Sequence, residues 1–435
     1  MKTTVVVGLG KIGLPLAAEF ASKGMRVIGC DVLVEVVDSV NAGKAHIREE
    51  AGLEEAVALA VQAKRLSASM DTTAATKQAE AVVVIVPLMV SPDHAMDYRS
   101  LDAATRAVGR GLKPGTLVIY ETTVPVGTTR RRLAPMLEKE SGLKAGSDFH
   151  LAFSPERLYA GRIFEDLRNY PKIVGGIDDA STKAAVDFYR AVLDAEIWAV
   201  ENTETAEFAK LAETTYRDVN IALANQLALY AASRDVNVTE AFKAANSQPY
   251  SHIHRPSLGV GGHCIPVYPH FLLGDATDGE LSIVRDGRGT NDGMAQVGVR
   301  QLEHMLGGMH GRRVLVLGAA YREDVKELAV STVFPIVEAL RGAGAEVLVH
   351  DPLFEPHELR MLEAVVVDNV DAARDVDAVV VQAWHEPFRA IDWTRFHGLK
   401  AVLDGRGTLD PEPVRRAGVS YIAIGISDSR AGVPK

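Results

Sequence analysis

Cysteine is nearly absent: among 435 residues only Cys30 and Cys264 carry a thiol. Two cysteines cannot make a disulfide framework, and the simplest reading is two free thiols in a reducing compartment. Long apolar runs are missing too. AVVVIVPLMV, at residues 81–90, has about half the roughly 18 residues of a membrane span and reads as a buried strand. There is no dense cluster of Lys and Arg, and the net charge is −10, which argues against a sequence-independent grip on nucleic acid. A local basic pocket for one anionic small molecule stays open. MKTTVVVGLG starts a strand almost at once, leaving no room for a charged leader, an apolar signal core and a cleavage site. The expectation is a soluble, cytoplasmic protein with neither nucleic acid nor membrane as partner.

What is present suits a folded chain. Hydrophobic residues at 47% and charged residues at 24% are ordinary for a globular protein, and the length is that of roughly three domains. TTVVVGLGKIGLPLAAEFASKGMRVIGCDV reads as strand, glycine turn, helix and strand. AEAVVVIVPLMV, PGTLVIYETTVP and DFHLAFSPE are further strands, with helix-like sequence between them, and such alternation implies a doubly wound parallel sheet. TETAEFAKLAETTYRDVNIALANQLALYAASRDV has apolar positions at helical spacing and no Gly or Pro, so a single long helix is expected, spanning between domains and suited to a dimer contact. From Gly311 the first pattern returns as GRRVLVLGAAYREDVKELAVSTVFPIVEALRGAGAEVLVHDP. Gly8 precedes Asp31 by 23 positions; Gly318 precedes Asp351 by 33, with the extra residues in the turn. The fold class expected is α/β: two Rossmann-like doubly wound domains joined by a long central helix. The expected boundaries are 1–200 for a dinucleotide-binding domain, 201–305 for a central helical domain and 306–435 for a second Rossmann-like domain binding a different ligand.

Gly8, Gly10 and Gly13 form G-x-G-x-x-G after a strand and at the start of a helix. Glycines there allow a tight turn, close approach of the backbone to a pyrophosphate and close helix–sheet packing. Asp31, at the end of the next strand, is placed for an adenosine ribose, which favours NAD over NADP. GVGGHCIPVYPH sets Cys264 behind three glycines and ahead of two prolines. Three readings stand side by side: a buried free Cys, a metal ligand with His252, His254 and His263, or a nucleophile whose thiol is activated by His263 or another cation. The H-x-H and H-C spacings match common zinc sets poorly, and no metal is expected. Lys210 lies one helical turn before Thr214; Thr123 and Glu156 lie at strand ends, where an open α/β sheet has its ligand crevice.

Taken together, VGLGKIGLPLA, ETTVPVGTT, SPERLYAGR, AKLAETTYRDVNIALANQ and GVGGHCIP resemble the UDP-glucose/GDP-mannose dehydrogenase family, most nearly the branch acting on UDP-N-acetylhexosamines. The resemblance runs from the N-terminus to about Asp351. It implies NAD-dependent four-electron oxidation of C6 of a nucleotide sugar to a uronic acid, of the kind used in polysaccharide biosynthesis; the homodimer is expected from the long helix. It assigns Cys264 to a thiohemiacetal and then a thioester, Lys210 to oxyanion stabilisation, and Thr123 and Glu156 to water and proton handling. Cofactor contacts carried over are Gly8, Gly10, Lys11, Ile12, Gly13, Asp31, Pro87 and Thr123. Substrate contacts are Glu156, Arg157, Leu158, Lys210, His252, His254, Arg255, Gly261, Tyr321, Arg322 and Lys326. A thiolate retains the aldehyde so that a second hydride can leave, and a fixed cation lowers both tetrahedral barriers.

Two positions depart from the family pattern. Thr214 stands where the family has Asn, and Tyr268 where it has Asp. A phenol with an ordinary pKa near 10 cannot act as a carboxylate base near neutrality. The alternatives are a two-electron 3-hydroxyacid or 6-phosphogluconate type dehydrogenase, which needs no Cys264, and a non-catalytic nucleotide-sugar binding protein.

Overall fold

The computed structural model describes residues 2–91, 94–159, 161–277 and 279–426. They pack as two compact units, Met1–Glu213 and Thr214–Lys435.

The first unit contains β1 (Thr3–Val7), β2 (Arg26–Cys30), β3 (Leu66–Ser69), β4 (Ala81–Val84), β5 (Met89–Val90), β6 (Met96–Asp97), β7 (Leu117–Tyr120), β8 (His150–Phe153), β9 (Lys172–Gly176) and β10 (Ile197–Ala199). Eight of them make one sheet in the order β10-β9-β8-β7-β4-β1-β2-β3, while β5 and β6 pair apart as a short antiparallel ribbon. Every residue of β1, β4 and β7 is buried, as continuous apolar strands covered on both faces should be. The parallel sheet expected from the alternation holds from β3 through to β8. Beyond it β9 runs antiparallel to β8, pairing Ala152 with Gly176, and β10 follows parallel to β9. Mixed sheets with an antiparallel pairing added toward one edge of a parallel sheet are common. The core gathers Val6, Leu14, Phe20, Val83, Ile119 and Tyr189 between sheet and helices.

The second unit contains β11 (Arg313–Leu317), β12 (Glu346–His350), β13 (Val365–Val366), β14 (Ala378–Val381), β15 (Ala401–Asp404) and β16 (Ser420–Ala423), all parallel, in the order β13-β12-β11-β14-β15-β16. Numbered from its own first strand this is 3-2-1-4-5-6, the order also found in the first unit from β3 to β8. Each sheet therefore has its topological switch beside its first strand, where a ligand crevice opens.

The chain passes from one unit to the other inside the helix Thr203–Ala232, 30 residues and about 45 Å long. Asn202 Oδ1 caps it by accepting from the Thr205 amide at 2.8 Å. After Glu213 the helical residues share a core with the second sheet. Ala228, Val238, Leu258, Met294, Val299 and Leu302 bury their side chains in one cluster with Val314, Val316, Val347 and Leu403. No helix among the described residues is long and apolar enough to cross a membrane.

Candidate active site

The first unit presents a dinucleotide cradle at the C-terminal end of β1. Gly8 has φ +95°, in the left-handed region where a side chain is strained, and its amide donates to Cys30 O at 2.8 Å. A Cβ on Gly13 would lie 1.8 Å from Gly8 O, so this glycine is required for the turn itself. A Cβ on Gly10 would meet nothing within 4 Å, so the fold itself does not demand a glycine there and the space beside it is open. The helix Gly13–Ser22 that follows, with Ile12 at its N-cap and exposed Lys11 before it, has no side-chain cap and no acidic residue in its first turn. The Leu14 amide donates to Gly10 O at 3.2 Å and Pro15 has no amide hydrogen, so what the helix start offers a pyrophosphate is chiefly its dipole. Asp31 Oδ2 accepts from the Leu9 amide at 2.9 Å and Oδ1 from the Leu33 amide at 3.0 Å. Each oxygen keeps a second lone pair for a ribose hydroxyl. The exposed aliphatic pair Val32 and Leu33 adjoins it. Pro87 is exposed just past β4, across the topological switch.

Thr123 and Glu156 follow β7 and β8, which pair directly at Tyr120 and Phe153. The structure ties both to groups that sequence reasoning missed. Glu156 Oε1 accepts the amides of Arg157 and Leu158 at 2.6 and 3.0 Å, and Lys172 Nζ reaches Glu156 Oε2 at 3.2 Å and Glu121 Oε2 at 2.7 Å. Leu158 packs against the first core, while the Arg157 guanidinium donates to Pro171 O at 2.5 Å and lies 3.7 Å from Glu213. Glu207, in the long helix, accepts the amides of Gly127 and of Thr129, the latter at 2.8 Å. It thereby fastens the VPVGTT loop after Thr123 to the helix that carries Lys210. Burial pushes the Glu207 carboxyl up to about 7, against the pull of those amides. Lys210 is itself buried. Glu121 was visible in ETTVPVGTT as an acid ending an apolar strand; nothing in the sequence marks Lys172 or Glu207.

In the second unit the two cysteines' fates separate. Cys264 is exposed, whereas Cys30, in the first unit, is buried and its thiol is pushed up to about 12 by that burial. The bland reading of a buried thiol therefore fits Cys30 alone. The Cys264 carbonyl accepts the amides of Val267 and Tyr268 at 3.2 and 2.9 Å, so the thiol sits on a closed turn. Gly261 and Gly262 lie against Tyr321: a Cβ on Gly261 would come within 2.9 Å of Tyr321 Cβ, and one on Gly262 within 3.0 Å of its ring. The Gly262 amide donates to Ala329 O at 3.3 Å, next to Val330, a β-branched residue held at φ +48°. Strain of this kind is retained where surrounding structure imposes it, often at a functional site. His263 pairs with Glu327 at 3.3 Å. The half-buried Tyr268 ring packs 5.3 Å from Phe271.

The remaining predicted contacts of this unit are dispersed. Arg322 Nε donates to the Tyr321 hydroxyl at 2.9 Å, beside the cysteine turn. Lys326 turns elsewhere, pairing with Glu358 at 2.7 Å. Asn220 holds the His252–His254 segment to the long helix, donating to His252 O at 2.8 Å and accepting from the His254 amide at 3.2 Å. Burial, with Arg217 nearby, lowers the His254 pKa. Arg255 is exposed and, with His254, Lys243 and Arg415, lines a cavity of about 850 Å³. Thr214 is buried in the long helix. Among the described residues no three His, Cys, Asp or Glu side chains gather as a metal site.

The two units repeat one another at the turn. Gly318, at φ +86°, donates to His350 O at 2.8 Å as Gly8 does to Cys30 O. Asp351 Oδ2 accepts from the Ala319 amide at 2.6 Å, as Asp31 does from Leu9. In the second copy the same carboxylate also takes the Ala320 amide at 3.1 Å and lies 2.9 Å from His385 Nε2. There the protein itself engages the carboxylate more fully than in the first unit.

Comparison with known proteins accounts for both halves. Residues 1–193 match the NAD binding domain of the UDP-glucose/GDP-mannose dehydrogenase family, 204–292 its central domain and 315–411 its UDP binding domain. The chain belongs to this family. A UDP-N-acetyl-D-mannosamine dehydrogenase of Pyrococcus horikoshii is 36% identical over 434 residues, covering 97% of this chain and 99% of that protein. Two solved structures superpose equally well, each with a TM-score of 0.87. One is an NDP-N-acetyl-D-galactosaminuronic acid dehydrogenase from Methanosarcina mazei, 31% identical over 98% of this chain and 96% of that one. The other is a UDP-glucose dehydrogenase from Pyrobaculum islandicum, 30% identical with 98% of each chain covered. The protein is an NAD-dependent nucleotide-sugar dehydrogenase, and the uncapped helix with its open Gly10 cradle fits that cofactor.

Proposed function

We propose that the protein oxidises C6 of a UDP-N-acetylhexosamine from alcohol to carboxylate, through a thiohemiacetal and a thioester on Cys264. The observation that carries this is the exposed Cys264 on a glycine-fixed turn, in a chain whose other thiol is buried. NAD, when bound, accepts one hydride in each of two oxidations. The Cys264 thiolate adds to the aldehyde carbon, holding it as a tetrahedral adduct from which the second hydride can leave. Water then replaces sulfur at the thioester carbonyl, releasing the uronic acid and the thiol. Lys210 stabilises the oxyanion of each tetrahedral state, and Glu156 takes the proton of the attacking water, with Thr123 as its hydrogen-bonding neighbour in that work. Thr214 and Tyr268 replace the family's amide and carboxylate, so Glu156 is the carboxylate left for the hydrolytic step.

Substrate contacts are assigned to Arg157, Leu158, His252, His254, Arg255, Gly261, Tyr321 and Arg322, with Lys326 reaching the nucleotide by leaving Glu358. The preference for an N-acetylhexosamine rests on the similarity to the Pyrococcus relative; UDP- and TDP-glucose are the competing substrates. The three segments 1–200, 201–305 and 306–435 act as NAD-binding, cysteine-bearing and nucleotide-sugar-binding parts. A homodimer is supported by the exposed apolar side chains Tyr216, Leu223, Leu227 and Tyr230 along the long helix, whose burial a second copy would supply, and the location assigned to it is the cytoplasm. The test is a panel of UDP- and TDP-hexoses with NAD, counting NADH per sugar consumed. Two NADH per sugar, fastest with a UDP-N-acetylhexosamine, is the expected result; one NADH per sugar would show that oxidation stops at the aldehyde.

A further inference from the structure

The side chains around Glu156 make a buried set of charges that none of the steps above uses. Glu121 leaves the end of β7 with its side chain wholly buried. Lys172, on β9, bridges Glu121 and Glu156 at 2.7 and 3.2 Å. Tyr189, from the helix Asp179–Val192, gives its hydroxyl to Glu121 Oε1, and its ring centre lies 5.2 Å from Lys172 Nζ. Ser154, after β8, turns its hydroxyl to Ile173 O at 2.7 Å. Arg157 is directed to Pro171 and Glu213, and Lys172 is paired with both carboxyls.

Two carboxylates and one ammonium in a dry interior carry an unbalanced negative charge, and a single shared proton removes it. The two carboxyls are not equivalent hosts for that proton. Glu156 accepts two main-chain amides, which favour its ionised form; the Glu121 side chain is held by the Tyr189 hydroxyl and the Lys172 ammonium instead. Burial accordingly pushes Glu121 up to about 7 despite Lys172. For Glu156 burial is outweighed by Lys172 and by hydrogen bonds from Glu121 and the Arg157 amide, and its pKa falls below the ordinary value.

We propose that Glu121 is a positioning residue for Glu156: it keeps the one proton of the pair, donates it as a hydrogen bond, and so holds Glu156 ionised and oriented for the attacking water. This rests on Glu156 being the hydrolytic base. A proton that Glu156 takes from water gives the pair its second proton, leaves the set cationic with Lys172, and is readily given up again. Once Glu121 ionises, the hydrogen bond is lost and two carboxylates face each other.

The experiment compares the pH profile of kcat for wild type, Glu121→Gln, Glu121→Ala and Glu156→Gln, with NAD affinity measured on each as a check on folding. Wild type is expected to show an ionisation near pH 7. A glutamine amide in place of the Glu121 carboxyl still donates but cannot ionise, so Glu121→Gln removes that ionisation and turns over about tenfold or more faster than Glu121→Ala. An unchanged ionisation in Glu121→Gln, or equal losses from Gln and Ala, would overturn the inference; should the Ala variant fail to fold, the Gln profile decides alone. Wild-type turnover by Glu156→Gln would remove the base assignment, and this inference with it. An inactive Glu156→Gln beside an unaltered Glu121→Gln profile removes the inference and leaves the base in place.

Discussion

Replacing Gly10 by alanine should separate cofactor binding from folding. In the protein alone the added methyl meets no atom within 4 Å, and Gly10 is not among the glycines at positive φ. The folded state therefore loses nothing, and the less flexible unfolded chain makes the variant equal to wild type or more stable by about 0.4–1 kcal/mol. The methyl does occupy the space over which a pyrophosphate approaches the turn. A loss of about 100-fold in NAD affinity, or about 2.7 kcal/mol, is expected. Gly13→Ala is the contrast: its methyl would sit 1.8 Å from Gly8 O, a main-chain atom of the same turn, so stability itself falls by about 1–3 kcal/mol or more. Thermal unfolding with and without NAD reads both effects. At 100 times its dissociation constant NAD stabilises wild type by about 2.7 kcal/mol. For a unit of this size that is a shift of roughly 5–10 °C. Gly10→Ala should keep the melting temperature of the free protein and forfeit that shift, whereas Gly13→Ala should melt low from the start. A Gly10→Ala protein with the full NAD-dependent shift would show that the pyrophosphate does not lie against Gly10.

Cys264→Ser should nearly abolish acid formation while NAD affinity stays intact, a loss on the order of a thousandfold or more, because a hydroxyl is far less ionised than a thiol; turnover within tenfold of wild type would exclude a thioester. Tyr268→Asp restores the family carboxylate and should raise steady-state turnover, with wild type accumulating a thioester visible by intact mass; no thioester and no gain would mean that this branch hydrolyses without that group. NAD should be strongly preferred over NADP, since Asp31 would face the 2′-phosphate, and equal efficiency with both would show that its bonds to Leu9 and Leu33 are its whole role. Glu207 concerns stability. Its folded pKa of about 7 lies above the ordinary 4.5, so the native state keeps a proton that the unfolded chain gives up first. The stability this contributes is complete below pH 4.5 and is lost as pH rises to 7, at most about 3 kcal/mol. Urea unfolding at pH 5 and 8 should show a smaller decline for Glu207→Gln than for wild type.

The local periodicities and the glycine spacing contained most of the fold. Continuous β-branched runs such as TTVVV and AVVVIV state burial on both faces, and G-x-G-x-x-G followed by Asp31 states a strand, a turn and a helix. Both signals arise within about 30 residues, where backbone geometry dictates residue type directly. The repeat at Gly318 and Asp351 was legible for the same reason. The reversal at β9 was not, because strand direction depends on the path the chain takes back to the sheet, and KIVGG reads alike either way. The packing of the middle segment was equally hidden: its helical pattern shows that a face is buried, while only the folded chain shows that β11, β12 and β15 supply what covers it.

The active-site candidates divide along the same line. Cys264, Glu156, Lys210 and Thr123 stand in short motifs, so their chemistry could be named from residue type and order. Their electrostatic setting belongs to the tertiary structure alone. Cys30 and Cys264 are the same residue type, and only burial makes one thiol inert and leaves the other open. Lys172 lies 16 positions from Glu156 and 51 from Glu121, and Glu207 reaches a loop some 80 positions away. Side chains so distant in sequence perturb one another only once the fold excludes water between them, because a charge in solvent is screened within about 10 Å and one in a dry interior is not.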